Sequence, residues 1–140
     1  MKRHFGGRAG PGSARLRREL ARSLARLVRR MHDLGFTQRD LKAPNILVQR
    51  SAGEEFRFTL VDFEGVRRRA RVSDELRARD LGRLAADFVR LPNVHAADMA
   101  RFLDEYLARD APLRERRREF AALILRRVRE KLDAWKAKGY

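Results

Sequence analysis

Gln38-Arg39-Asp40-Leu41-Lys42-Ala43-Pro44-Asn45, followed at some distance by Leu60-Val61-Asp62-Phe63-Glu64-Gly65, decides how this chain is read. The first stretch offers a carboxylate, an ammonium group and a carboxamide within a few residues. The second offers another carboxylate at the end of an apolar run. Between them, Ile46-Leu47-Val48 reads as a short buried strand by composition. Phe56, Phe58 and Leu60 alternate with Arg57 and Thr59, the period of a half-buried strand. Ser51-Ala52-Gly53-Glu54-Glu55 is the hairpin connection that joins the two.

A hairpin turning near residues 53–54 sets Asn45 opposite Asp62 at its open end, with Cα atoms on the order of 5 Å apart. Two oxygen-bearing side chains at that separation can share one hard cation such as Mg²⁺. Asp40 precedes Asn45 in the same loop and falls near that cation.

Working outward, residues 1–12 hold glycines at 6, 7, 10 and 12 and read as a flexible leader to a single domain, 13–140. The leader fits neither GxGxxG nor GxxxxGK[ST], and no strand precedes it. Ser13 suits the N-cap of a helix over 14–34, whose apolar stripe runs Leu16, Leu20, Leu24, Leu27, Met31 and Leu34. Arg15, Arg18, Arg22, Arg26 and Arg29 fall off that stripe. Gly35 suits the left-handed residue that ends the helix.

Beyond Gly65, Arg67-Arg68-Arg69-Ala70-Arg71-Val72 reads as a basic loop. Ser73 then caps a second helix, with Asp74 and Glu75 complementing its dipole. Leu76, Leu84 and Phe88 form its buried stripe, and Asp80 lies on the same stripe. A carboxylate there must find donors or carry a desolvation cost. Backbone amides around Arg39 are the natural donors; an edge position open to water is the alternative. Leu91-Pro92-Asn93 breaks this helix. A third helix near 96–109 buries Met99, Phe102, Leu103 and Tyr106. A last one runs from Pro112 towards Lys138 with Leu113, Phe120, Ile124, Val128, Leu132 and Trp135 on one side.

Bulk properties narrow the function classes. With 140 residues, 44% of them hydrophobic, the chain has the length of one domain and enough apolar content for a core. It has no cysteine, which excludes disulfides and thiolate metal sites. His4, His32 and His95 lack metal-ligand spacing. No apolar run approaches the roughly 20 residues that span a bilayer, so a reducing cytoplasm is the expected location. The formal charge is +15, and 29 of the 34 basic residues are arginine. That charge suits a polyanionic partner; equally, distributed arginines can be solvated helix faces. Nucleic acid is an unlikely partner by sequence, because stacking platforms and reader motifs are missing.

The segment from Met31-His32-Asp33-Leu34-Gly35-Phe36 through Val48, then Leu60 to Gly65, resembles the C-terminal lobe of the protein-kinase-like fold. The Asp-Phe-Glu-Gly form, with Val66-Arg67-Arg68 and then Arg79-Asp80-Leu81-Gly82-Arg83-Leu84, is most similar to the lipopolysaccharide core heptose and Kdo kinases. The resemblance implies an α+β, mostly helical fold: a kinase-like large lobe with one small β-hairpin and no small lobe. It implies ATP- and Mg²⁺-dependent phosphorylation of a sugar hydroxyl of lipopolysaccharide core. Asp40 would accept or orient the hydroxyl proton. Lys42 would stabilise charge on the transferred group and contact ATP. Asn45 and Asp62 would hold Mg²⁺. Arg39 would steady the loop, and Asp80 would support it from the next helix.

Departures refine that expectation. Gln38 replaces the usual histidine, a change expected to have modest effect. Glu64 replaces the glycine of DFG, as a further metal ligand or an anchor for an arginine. No Ala-Pro-Glu sequence follows, which disfavours a protein substrate. Lys2 is the sole lysine before Lys42, and no Val-Ala-Ile-Lys-like strand is present. The chain alone is therefore expected to transfer little phosphate, its small lobe coming from a longer chain or a partner. Its basic surface would suit an anionic glycolipid or sugar acceptor and peripheral contact with the inner face of a bacterial inner membrane. The rival expectation is an inactive, pseudokinase-like binding module that docks on a partner.

Overall fold

The computed structural model of the chain describes residues 13–50, 53 and 55–140. The expected leader, 1–12, lies outside the described residues, as do positions 51, 52 and 54 of the hairpin connection. Among the described residues five α-helices carry the fold: α1 (Ser13–Asp33), α2 (Asp74–Val89), α3 (Ala96–Leu107), α4 (Ala111–Glu115) and α5 (Arg117–Ala137). Four short strands complete it: β1 (Phe36–Gln38), β2 (Ile46–Gln49), β3 (Arg57–Leu60) and β4 (Val66–Arg68).

α1 packs on α3 and α2 on α5 around one core that includes Leu24, Val28, Leu41, Leu84, Tyr106 and Phe120. The fold is thus mostly helical with a small hairpin, as the sequence implies. β2 and β3 form that hairpin, antiparallel, from Ile46↔Leu60 to Gln49↔Arg57. The register centres on Gly53, half a residue from the expected turn. Asn45 therefore sits opposite Val61, whose N–H it accepts at 3.0 Å, and Asp62 is one step further along.

A second two-stranded ribbon was not legible. β1 pairs antiparallel with β4, Phe36↔Arg68 to Gln38↔Val66. Arg67 and Arg68, expected in a basic loop, belong to a strand. Three residues are too few to show a period of two, and two arginines have weak strand character.

The buried face of α1 is also rotated from the expected stripe. It consists of Leu24, Ala25, Val28 and His32, while Leu16 and Leu34 are 38% and 58% exposed. The smaller side chains let α3 approach on that side, and Leu34 lies past the last helical turn. Arg29, expected in solvent, is half-buried. It donates to Asp33, to the Tyr106 carbonyl and to Asp110, tying α1 to the end of α3 and the start of α4.

Ser73 caps α2 as expected, accepting the Leu76 N–H at 3.3 Å. The anticipated last helix is two. Arg116 (φ −101°, ψ 28°) breaks it, and its guanidinium reaches Asp74 on α2 at 2.9 Å. α5 then lies close along α2 because position 82 is glycine. A Cβ there would stand 3.1 Å from the Ile124 carbonyl oxygen and against Arg127.

Candidate active site

The site is built where the two ribbons meet the end of α1. The helix stops at Gly35, whose φ of +88° favours glycine. Its carbonyl accepts the Arg69 N–H at 2.7 Å, and a Cβ on Gly35 would strike the Arg69 carbonyl oxygen. This contact starts the β1–β4 pairing, which carries Asp62–Gly65 back alongside the loop 39–45.

Gln38 is the joint. It is 2% exposed, and three of its hydrogen bonds tie the loop to its surroundings. Its backbone N–H donates to Asp80 Oδ2 at 2.8 Å. Its side-chain Oε1 accepts the Asp40 N–H at 3.0 Å. Its Nε2 donates to the Asp62 carbonyl at 2.7 Å. One carboxamide thus links the backbones at Asp40 and Asp62. Gly65 completes the approach: its carbonyl accepts the Arg39 N–H at 3.3 Å, and a Cβ there would overlap Gln38 Oε1.

α2 clamps the loop at two points. Asp80, 0% exposed, takes the Gln38 amide, His32 Nε2 at 3.0 Å, and two donors from Arg79. Four donors on one carboxylate satisfy an ionised buried group. The expectation of a backbone amide near Arg39 holds; the edge position open to water does not. Asp87 takes the Ala43 N–H. Leu41, 1% exposed, plugs the loop into the core.

The remaining loop groups face outward. Asp40 and Lys42 are half-buried, and among the described residues their charged atoms have no hydrogen-bond or ion-pair partner. The Asn45 Nδ2 is buried and has no hydrogen-bond partner among the described residues. Asp62 is exposed; its Oδ1 accepts the Glu64 N–H at 3.2 Å and its Oδ2 has no described partner. No three His, Cys, Asp or Glu side chains gather as a metal cluster among the described residues. The expected metal pair consists of one carboxylate and one amide.

Two expectations are corrected. Arg39 does not steady the loop through its side chain, which is exposed; its backbone N–H and the neighbouring Gln38 do so. Of the two roles expected of Glu64, the arginine anchor is made by its backbone carbonyl, which accepts from Arg67, and not by its carboxylate. Gln38, expected to have modest effect, is the central connector.

Sequence reasoning gave no site role to His32, Tyr106, Arg77 or Asp87. His32 follows Leu24 and Val28 at four-residue steps, and Asp87 follows Asp80 by two turns, so both carried a helical-face signal. Tyr106 meets His32 from α3 across 74 positions, which no local pattern reveals.

A family model described as "Lipopolysaccharide kinase (Kdo/WaaP) family" matches residues 7–106. The chain belongs to this lipopolysaccharide kinase family. Among solved structures, this family member is similar to "WaaP in complex with acyl carrier protein", with 31% identity and a TM-score of 0.70. The match covers 86% of this chain and 50% of that one. The family member thus spans half the length of that structure. No curated protein matches it.

Proposed function

We propose that this chain carries the transfer loop of an ATP- and Mg²⁺-dependent kinase acting on a sugar hydroxyl of lipopolysaccharide core. The observation that carries the reading is the Gln38 carboxamide, which fixes the Asp40 and Asp62 backbones relative to each other. Phosphoryl transfer is chiefly positioning and charge stabilisation, so a rigid link between these two segments is what the chemistry needs.

The donor set fits a hard cation. Asp62 has a carboxylate oxygen without a partner among the described residues, and the Asn45 carboxamide offers a second oxygen that accepts no hydrogen bond there. Mg²⁺, when bound, would neutralise phosphate oxygens. Asn45 and Asp62 would hold it. Asp40 would orient the acceptor hydroxyl and take its proton. Lys42 would set its ammonium beside the transferred group. The acceptor oxygen gains the phosphoryl group and ADP leaves.

The relative's printed title pairs it with acyl carrier protein. A protein partner of that kind, together with an anionic glycolipid acceptor, suits the arginine-rich exterior. No described helix is long and apolar enough to cross a membrane, which is compatible with peripheral work at the cytoplasmic face.

A second reading, a non-catalytic docking module, is favoured by Leu47, Val61 and Phe63, large apolar side chains exposed near the hairpin mouth. A monomer by size-exclusion chromatography with light scattering would weaken it.

The kinase reading is tested by nuclear magnetic resonance titration of the 140-residue chain with Mg²⁺ and ADP. Amides of 38–45 and 60–65 should shift, and Asp62→Ala should abolish the Mg²⁺-dependent part. Shifts confined to other surfaces overturn the reading.

A further inference from the structure

Behind the loop lies a buried row of polar groups that the proposed chemistry does not use. Arg77 Nη1 donates to the Tyr106 hydroxyl at 3.0 Å. The Tyr106 hydroxyl meets His32 Nδ1 at 2.6 Å, and His32 Nε2 meets Asp80 Oδ2 at 3.0 Å. Tyr106, His32 and Asp80 are all 0–1% exposed.

The directions of these bonds follow from the donors. A guanidinium only donates, and Arg77 is held in place by Val72 O and Asp33 as well. The Tyr106 oxygen therefore accepts from Arg77, which turns its own O–H towards Nδ1. Nδ1 must then be bare. The imidazole proton resides on Nε2 and is donated to Asp80. The other tautomer would face a lone pair against the Asp80 carboxylate and leave the Tyr106 proton without an acceptor, a costly arrangement in the interior. Burial also lowers the His32 pKa, more than Asp80 raises it, which keeps the ring neutral.

We infer that Tyr106 is a positioning residue for the transfer loop. Its hydroxyl, donating to Nδ1, holds the His32 ring through which Asp80 is oriented to hold the Gln38 amide. Gln38 in turn sets the Asp40 and Asp62 backbones. The relevance to transfer rests on the kinase reading above; the bond directions do not.

The test uses the 140-residue chain with ¹⁵N-labelled histidine, near neutral pH. In the wild type, long-range ¹⁵N–¹H correlation should show His32 with Nδ1 unprotonated and Nε2 protonated. Tyr106→Phe should leave Nδ1 without its donor, move the Nδ1 resonance and quicken Gln38 amide exchange roughly tenfold, while the Val128 amide in α5 is unchanged. His32→Gln places a permanent N–H donor towards Asp80. In that background Tyr106→Phe should no longer affect Gln38.

A protonated Nδ1 in the wild type overturns the inference. So does equal acceleration by Tyr106→Phe with and without His32→Gln, which would signify general loosening. The wild-type tautomer is read without substitution, so a variant that fails to fold does not remove the test. The Mg²⁺ and ADP titration decides the kinase reading separately, since its failure leaves the tautomer result standing.

Discussion

Asp87 accepts the backbone N–H of Ala43 at 2.8 Å, two turns along α2 from the carboxylate that holds Gln38. One face of one helix thereby fixes both ends of the loop 38–43. Each clamp has its own arginine: Arg79 on Asp80 at 2.9 Å and Arg83 on Asp87 at 3.0 Å.

Asp87→Ala leaves the Ala43 amide and the Arg83 guanidinium without their acceptor. A loss of about 1–3 kcal/mol in chemical denaturation is expected. Ala43 amide exchange should quicken more than that of residues in α5. Asp87→Asn retains an acceptor and should lose less. An alanine variant as stable as the wild type would show that the clamp contributes nothing.

Gly65→Ala tests the close approach of the two segments. The added methyl would overlap Gln38 Oε1 and stand 3.2 Å from the Asp40 nitrogen. Gln38 cannot simply swing away, because both ends of its carboxamide are bonded. The substitution should therefore cost about 1–3 kcal/mol, the range for overpacking. Amide shifts should concentrate at Gln38, Asp40 and Asp62. Gly53→Ala is the control: nothing among the described residues lies within 4 Å of its added carbon, so its cost comes from φ +78°.

How far the sequence disclosed this arrangement depends on the range of each interaction. The helices of 74–89 and 96–107 were legible from caps and four-residue spacing, and the hairpin from alternation at Phe56, Phe58 and Leu60. Asp80 announced itself as a carboxylate on an apolar face. The register slipped because turn position was judged from residues 51–55, where composition does not fix which residue is central. β1 and β4 were hidden because their pairing is set by Gly35 and Gly65, each admitting a backbone that its sequence neighbours do not encode. Gln38 looked like a tolerated replacement. Its importance comes from Asp62, 24 positions away, and only the fold brings the two together.

Acid should destabilise the chain through His32. Burial depresses its folded-state pKa below the ordinary 6.5, so the unfolded chain binds the extra proton first. Stability is full above that value and declines as pH falls through the window beneath it. Asp110 adds to this at lower pH. Burial raises its pKa, but the Leu113 N–H and Arg29 outweigh that and depress it below 3.8. Its contribution is present above 3.8 and is lost as pH falls further. Denaturation midpoints measured across the acid range should show the His32 slope, and His32→Gln should remove it. An identical slope in that variant would place the titration elsewhere.

Asp40 and Lys42 should separate activity from folding. Neither charged group has a protein partner among the described residues, so Asp40→Asn and Lys42→Met should change stability by no more than about 0.5 kcal/mol. Phosphoryl transfer is a different matter. Losing the group that takes the hydroxyl proton typically costs ~10²–10⁴-fold, and losing a charge-stabilising donor a similar factor. Transfer from ATP to lipopolysaccharide core, measured with the 140-residue chain alone and again with added candidate partners, should fall by at least ~100-fold in either variant wherever the wild type is active. Nucleotide affinity should hold for Asp40→Asn and weaken for Lys42→Met, because only the lysine is assigned to the phosphates. Brisk wild-type turnover that survives Asp40→Asn would remove Asp40 from the chemistry and return the site to the docking reading.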